Sequence, residues 1–179
     1  MAGKRDGLKR FDLTADGFWN SFGAIPVALP PMALAWIEYE QVERTVPAAD
    51  VGTVALYGAH AFADLTAWLF PLLVLALAAH PLGFSRRIVP LIVTLNWGSA
   101  LIAWCLAPVW ILLLIAGRGE GGSVLGLVLM LGSVVLTVRL VAAATDLDHT
   151  VSTGIVALTV FCSFLAYVAV ADLTGIPLV

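Results

Sequence analysis

The sequence has few charged residues. Asp, Glu, Lys and Arg make up 12% of its 179 residues, whereas a soluble domain carries about a quarter. With 61% apolar residues and a mean hydropathy of +1.00, the composition excludes a water-soluble globular enzyme and a disordered chain. Two cysteines are too few for a disulfide scaffold, and a net charge of −3 argues against a nucleic-acid partner. The composition leaves a polytopic membrane protein.

Catalytic and cofactor motifs are missing as well. The sequence has no Gly-x-x-x-x-Gly-Lys-[Ser/Thr] phosphate loop, no His-Glu-x-x-His zinc motif and no Gly-x-Ser-x-Gly nucleophile motif. Its three histidines fall at different predicted depths, so no pair is available to hold a haem. Cys105 and Cys162 lie inside predicted spans, where a thiol is usually an inert packing group. We therefore expect a protein that is not an enzyme and that has no cofactor and no metal.

Five apolar stretches are long enough to cross a bilayer as helices, which takes about 20 residues each. Their apolar residues run on continuously instead of alternating, which favours helices over strands. The sequence predicts one all-α domain over residues 1–179, a bundle of five transmembrane helices. The spans are predicted at residues 17–37, 54–79, 88–116, 123–144 and 151–171. Kinks are expected near Pro30 and Pro71, and the short connections predict that consecutive spans are antiparallel neighbours.

Basic residues predict the orientation. A cytoplasmic N-terminus puts Arg44 and Arg118 outside and the other seven of the nine basic residues inside. The acidic connection of residues 38–53 and the C-terminus then lie outside. We expect a multi-pass protein of a bacterial inner (plasma) membrane.

The N-terminal region leaves two alternatives open. The first stretch follows basic residues and contains an Ala33-Leu34-Ala35 triplet like that of a cleavage site, but its length and prolines favour an uncleaved span over a signal peptide. Residues 8–18 could form an interfacial helix on anionic lipid, although a plain basic flank is favoured. Thr14 is a candidate N-cap of a helix that enters the first span.

Asp64 is the main candidate for a functional side chain, because an ionisable residue deep in a span is energetically expensive. His60 lies one helical turn before it, and Tyr57 lies on the same face. A carboxylate beside an imidazole could carry protons or hold a cation. The pair could also satisfy itself and fix the helix register, and this structural interpretation is favoured.

Other polar and small residues predict helix contacts. Asn96 needs a hydrogen-bond partner on another helix. Gly122, Gly126 and Ser133 lie along one face of the fourth span and could serve a fold contact or a homodimer. Residues 145–150 contain two aspartates and His149, which could bind a divalent cation or cap the fifth span, and capping is favoured.

The opening residues 11–22, FDLTADGFWNSF, resemble the start of small bacterial inner-membrane proteins of unknown function. The pattern of five spans is similar to that of the Yip1-type family of small membrane proteins. This resemblance implies a cytoplasmic N-terminus, five closely packed helices and little mass outside the membrane. It implies no site residues.

The missing motifs favour a non-catalytic membrane scaffold, accessory subunit or membrane-organising protein. The alternative is a small oligomeric transporter or channel that uses the His60–Asp64 pair for protons or ions. A membrane enzyme ranks third and needs a polar cleft near residues 145–150. The expected partners are the lipid bilayer and either further copies of the chain or a larger membrane complex. A transporter predicts that Asp64 lines a water-accessible cavity, whereas a scaffold predicts that neighbouring helices enclose it.

Overall fold

The helices are described by a computed structural model that covers residues 11–44, 51–81, 83–117 and 119–178. The described chain is helical, and no strand occurs within those ranges. The six α-helices are α1 (Ala15–Asn20), α2 (Ala24–Glu38), α3 (Thr53–Ala78), α4 (Ile88–Ala116), α5 (Glu120–Thr145) and α6 (His149–Thr174). Single 3-10 turns at Ser21–Gly23 and Ser85–Arg87 precede α2 and α4, and a π-helical turn, Tyr39–Glu43, follows α2.

Five helical segments are long and apolar enough to cross a membrane: Ala15–Val42, Thr53–Ala78, Ser85–Ala116, Val124–Thr145 and His149–Thr174. A helix of 26 residues such as α3 is about 39 Å long, which exceeds the bilayer core of about 30 Å. The predicted all-α class and the number of candidate spans are confirmed. The orientation of the termini stays a prediction.

The first span is longer than predicted. It runs through the π-helical turn to Val42, so Glu38 and Glu40 belong to the helical segment and not to an acidic outer loop. Glu38 is buried, and the Glu40 side chain is 8% exposed. The prolines do not end the helices, because Pro30 and Pro71 lie inside α2 and α3.

The first helix begins at a cap that the sequence predicted. The Thr14 hydroxyl accepts a hydrogen bond from the Gly17 amide at 3.2 Å, and Asp12 accepts from the Thr14 amide at 3.0 Å. The Asp12 backbone folds so close to Gly17 that a Cβ there would collide with it. The short segment before α1 is thereby a turn that folds back onto α1, and glycine is required at position 17 of the helix.

The loop before α6 ends in a second cap. One carboxylate oxygen of Asp148 accepts from the Thr150 amide at 2.6 Å and from the Val151 amide at 3.0 Å. These two bonds lower the pKa of Asp148, because they stabilise its charged form. The capping interpretation of residues 145–150 is confirmed.

The helices pack in an order that differs from their order in the chain. The large interfaces join α3 to α6, α2 to α4, α4 to α5 and α5 to α6, while α2–α3 and α3–α4 share few contacts. The prediction that consecutive helices are close neighbours therefore holds for α4–α5–α6 but is wrong for α2–α3 and for α3–α4. Small buried residues, Ala24, Ala28 and Ala100, bring α2 against α4 instead.

This packing order places the five long helices around a common interior. The larger apolar core lies at the end of the bundle where α3 ends and α4 begins, and Leu75, Leu91 and Val141 are fully buried there. At the opposite end, Ile176 and Leu178 after α6 pack against Ala59 and Ala63 of α3. The interior between these two clusters contains the polar side chains of the candidate site.

Candidate functional site

Asp64 lies near the middle of α3 and is held by donors from two other helices. The Trp36 indole Nε1 of α2 donates a hydrogen bond to Asp64 Oδ2 at 2.6 Å. The Tyr167 hydroxyl of α6 donates to the other carboxylate oxygen, Oδ1. Both donors are electrically neutral, so the two bonds orient the carboxylate without neutralising its charge.

His60 has a separate set of partners. Its Nε2 lies 2.6 Å from Oε1 of Glu40, in the π-helical turn after α2. The Trp36 ring stacks on the imidazole with centroids 6.2 Å apart, and the Tyr39 ring meets it edge-on at 5.6 Å. Tyr57 lies against the same imidazole with centroids 6.4 Å apart.

The two predicted pair members therefore lie on one face of α3 without bonding to each other. Over the described part of the chain, the bonds of His60 go to Glu40 and those of Asp64 go to Trp36 and Tyr167. The expected direct His60–Asp64 pair is replaced by two contacts across helices. The reason is geometric: α2 runs antiparallel to α3, so Trp36 faces Asp64 and Glu40 faces His60 one turn further on.

Glu40 is neutralised by its own cation. The Arg44 guanidinium forms two bonds of 2.5 Å with the Glu40 carboxylate and lies 5.2 Å from the centre of the Tyr39 ring. The Glu40 carboxylate raises the pKa of Arg44 and keeps this guanidinium charged. Arg44 therefore compensates the negative charge of Glu40 beside His60. Among the described residues, Asp64 forms no ion pair of this kind.

Two cavities meet at Asp64. The central cavity has a volume of about 440 Å³ and is lined by side chains of all five long helices. The end cavity has a volume of about 370 Å³ and lies between the C-terminal parts of α2, α4 and α6 and the first half of α3. Asp64, Tyr167 and Met32 line both. The carboxylate thus stands at the boundary between two spaces that can hold water or a ligand.

The central cavity carries several hydroxyl groups. Ser133, Thr137 and Ser163 line it, and each donates its proton to a backbone carbonyl. Their oxygens remain able to accept hydrogen bonds from a guest. The cavity therefore combines an apolar wall with hydroxyl oxygens that can accept hydrogen bonds.

Asn96 forms a buried polar connection elsewhere in the bundle. Its side-chain oxygen accepts from Trp68 Nε1 at 2.8 Å, and its nitrogen donates to Ser21 Oγ at 2.9 Å. Asn96 and Ser21 are fully buried. Asn96 thus has the partners on other helices that an amide in an apolar helix needs, and it joins α3, α4 and the turn before α2 instead of belonging to the Asp64 site.

The glycine face of α5 does not act as a fold contact at Gly126. A Cβ built at Gly126 meets no atom within 4 Å. The close approach lies between Gly98 of α4 and Leu140 of α5, where such a Cβ would collide with the leucine side chain. Ser133 bonds to Met130 of its own helix. A role of Gly122 and Gly126 between copies of the chain stays a prediction.

Sequence analysis missed four residues of the site: Trp36, Glu38, Glu40 and Tyr167. Trp36 and Tyr167 were indistinguishable from interfacial or packing aromatics, because their partner lies 28 and 103 residues away. Glu40 did carry a local signal, since Glu40 and Arg44 stand four residues apart as a helical ion pair does.

No family model, curated protein or solved structure matches the chain. The similarity to Yip1-type proteins therefore stays a prediction. What the fold defines is a helical protein with five candidate membrane spans and an interior carboxylate between two cavities.

Proposed function

We propose that this chain is a small multi-pass transport protein in which Asp64 takes up and releases protons. The observation that supports the proposal is the position of Asp64 at the junction of two cavities, held by neutral donors only among the described residues. We further propose the predicted setting, a bacterial inner membrane with the N-terminus in the cytoplasm. Oligomerisation fits this function, because five spans leave little room for a full pathway within one chain.

The energetics of a buried charge favour this function. An ionised carboxylate in an apolar interior is expensive unless a counterion compensates it. Two neutral hydrogen bonds reduce that cost without removing it, so the carboxylate gains most from binding a proton or a cation. The proposal requires water to enter the cavities on its two sides, which would give the bound proton a route in and a route out.

The scaffold interpretation is less well supported at this residue. A carboxylate that only fixes helix register needs neighbours that use all its acceptor sites. A carboxylate has about four lone-pair sites, and the described partners of Asp64 use two of them. The remaining two are available to a guest in either cavity.

Proton movement in liposomes tests the proposal. The protein is reconstituted with the pH-sensitive dye pyranine inside the vesicles, and valinomycin sets a potassium diffusion potential that is negative inside. Wild type should acidify the lumen faster than protein-free vesicles do. Asp64→Asn should return the rate to that of protein-free vesicles, because the amide keeps the shape and cannot exchange the proton.

The matched control is Asp172→Asn, which removes an exposed carboxylate near the end of α6. This variant should conduct as wild type does. An Asp64→Asn protein with the wild-type rate would contradict the proposal, and so would a wild-type rate equal to that of empty vesicles.

A further inference from the structure

We propose that the central cavity binds the ammonium group of a primary amine between Asp64 and the hydroxyl groups of α5 and α6. This inference rests on the proposed function and names the class of solute that exchanges with the proton. The chemistry of the cavity wall and the position of Ser163 relative to Asp64 support it.

The polar groups of the cavity wall are mainly hydrogen-bond acceptors. Four lining hydroxyls each donate a proton to a backbone carbonyl at 2.7 to 2.8 Å, those of Ser133, Thr137, Thr159 and Ser163. The donors of two lining aromatic side chains are used as well, because Trp68 bonds to Asn96 and Tyr167 bonds to Asp64. Ser99 adds a fifth hydroxyl, which can donate or accept. The wall therefore favours a guest that brings several hydrogen-bond donors.

Asp64 adds a negative charge to these acceptors. Its described partners, Trp36 and Tyr167, are neutral and use two of its lone-pair sites, of which a carboxylate has about four. Among the described residues, Asp64 forms no ion pair. A positively charged donor satisfies both the charge and the unused lone pairs, whereas the carboxylate repels an anion.

The arrangement of the acceptors favours an ammonium over a guanidinium. A planar guanidinium donates two parallel bonds to a carboxylate, but here each carboxylate oxygen already accepts from a different helix, Oδ2 from Trp36 and Oδ1 from Tyr167. A primary ammonium is compact and has three donors that point in different directions. These directions suit acceptors that lie on α3, α5 and α6.

Ser163 lies within reach of an ammonium bound to Asp64. The Ser163 hydroxyl bonds to the Ala67 carbonyl at 2.8 Å, which fixes it against α3. Tyr167, four residues further along α6, bonds to Asp64 itself, and four helical residues rise about 6 Å. An N–H donor lies about 2.9 Å from its acceptor, so one nitrogen between the Asp64 carboxylate and Ser163 Oγ can bond both.

The remainder of the wall selects an apolar body for the amine. Met32, Leu72 and Val156 are among the side chains that line it. The volume of about 440 Å³ lies within the range of about 300–1,000 Å³ for small-molecule sites. The guest is then a small amine whose charged end meets Asp64 and whose hydrocarbon part contacts the apolar wall.

Binding of the ammonium exchanges with the proton on Asp64. The protonated carboxyl group releases its proton to water when the carboxylate forms an ion pair with the ammonium. Departure of the ammonium lets the carboxylate take up a proton again. One positive charge replaces another at each step, so movement of the amine is coupled to movement of a proton in the opposite direction.

Equilibrium dialysis of the protein in lipid nanodiscs at neutral pH tests the inference, with empty nanodiscs as the blank. The three probes share a benzyl group: benzylamine, a primary ammonium at this pH; benzyl alcohol, which is neutral; and benzyltrimethylammonium, which is charged and has no N–H donor. Wild type should bind benzylamine at least tenfold more tightly than either other probe, which corresponds to about 1.4 kcal/mol. Equal binding of benzylamine and either other probe overturns the inference, and so does no binding of benzylamine.

Variants localise the bound ammonium. Asp64→Asn should weaken benzylamine binding by tenfold or more, while Asp172→Asn should not change it. Ser163→Ala removes one acceptor of a charged donor, so it should weaken benzylamine binding about tenfold and leave the weaker binding of benzyltrimethylammonium unchanged. The matched control is Thr153→Val, which removes a hydroxyl of the same helix that bonds to the His149 carbonyl outside the central cavity. Equal losses of the two charged probes in Ser163→Ala, or a loss in Thr153→Val of the same size, overturn the contact with Ser163.

The proton and amine experiments fail independently. Asp64-dependent proton entry without preference for benzylamine overturns this inference and leaves the proposed function standing. Preferential benzylamine binding that depends on Asp64, without proton entry, supports the inference and contradicts the proposed function. Because wild type alone compares the three probes, the result does not depend on whether any variant folds.

Discussion

The Asn96 connection provides a sharp test of what holds the bundle together. Asn96→Leu removes both interhelical hydrogen bonds, from Trp68 at 2.8 Å and to Ser21 at 2.9 Å, at nearly constant side-chain volume. Since the site is fully buried, water cannot replace the lost partner of Ser21. We expect the substitution to destabilise the protein.

The magnitude follows from the number of bonds. Interhelical hydrogen bonds in membrane proteins contribute about 0.6 kcal/mol on average and up to about 1.7. Two bonds therefore give a loss of about 1–3 kcal/mol in the free energy of unfolding. Leucine adds little to this through packing, because changes that conserve volume are the best tolerated in a core.

Thr94 offers the matched control on the same helix. It is 1% exposed, and its hydroxyl has no hydrogen-bond partner among the described residues. Thr94→Val removes this uncompensated polar group, so it should be neutral or slightly stabilising. The two variants therefore change buried polar residues of one helix, two positions apart, with opposite expected signs.

The assay is reversible unfolding in dodecylmaltoside micelles titrated with SDS, followed by far-UV circular dichroism. A double-mutant cycle of Asn96→Leu with Trp68→Phe isolates one bond and should give a coupling of about 0.6 kcal/mol. If Asn96→Leu unfolds at the wild-type SDS fraction, or if Thr94→Val is as destabilising as Asn96→Leu, the reasoning is refuted.

Two further predictions concern the helix cap and the glycines. The pKa of Asp148 is lower in the folded state than in the unfolded state. The Asp148 cap therefore contributes its full stabilisation above the unfolded pKa of about 4. This stabilisation is lost as the pH falls through the folded pKa. The introduced asparagine caps the helix equally well and does not titrate, so the Asp148→Asn variant should lose less stability in acid than wild type does. Thermal melts at a series of pH values measure this, and parallel curves of melting temperature against pH for the two proteins would contradict it. Gly126→Ala should stabilise α5 by up to about 1 kcal/mol, because the new Cβ meets open space. Gly98→Ala should stabilise α4 only when Leu140→Ala removes the collision with the leucine side chain. Equal effects of the two alanine substitutions in SDS titrations would show that the Gly98 contact is unimportant.

Local features of the chain were predictable from sequence. Apolar runs longer than about 20 residues give helices of spanning length in any packing arrangement, so five candidate spans followed from composition and run length. The Thr14 and Asp148 caps followed too, because a cap involves residues two or three positions apart. The end of the first span was misjudged, since Glu38 and Glu40 appear to close an apolar run and instead continue it.

The sequence also singled out Asp64 as an ionisable residue within an apolar span. Placing such a group in an apolar helix costs free energy wherever that helix lies in the bundle. The partners of Asp64 did not follow from sequence. In a water-soluble helix His60 and Asp64 would be natural partners at four residues' spacing, but here α2 and α6 present donors and acceptors to each separately.

The sequence by itself determined the helices, their caps and the presence of a carboxylate, Asp64, within an apolar run, because these depend on composition and on neighbours within one or two turns. The tertiary structure decided which helices touch, that Asp64 accepts from Trp36 and Tyr167, and that two cavities meet at its side chain. The physical reason is that helix order in the bundle is set by shape. Small residues let α2 approach α4, and no periodicity within one helix encodes which other helix will fill the space opposite.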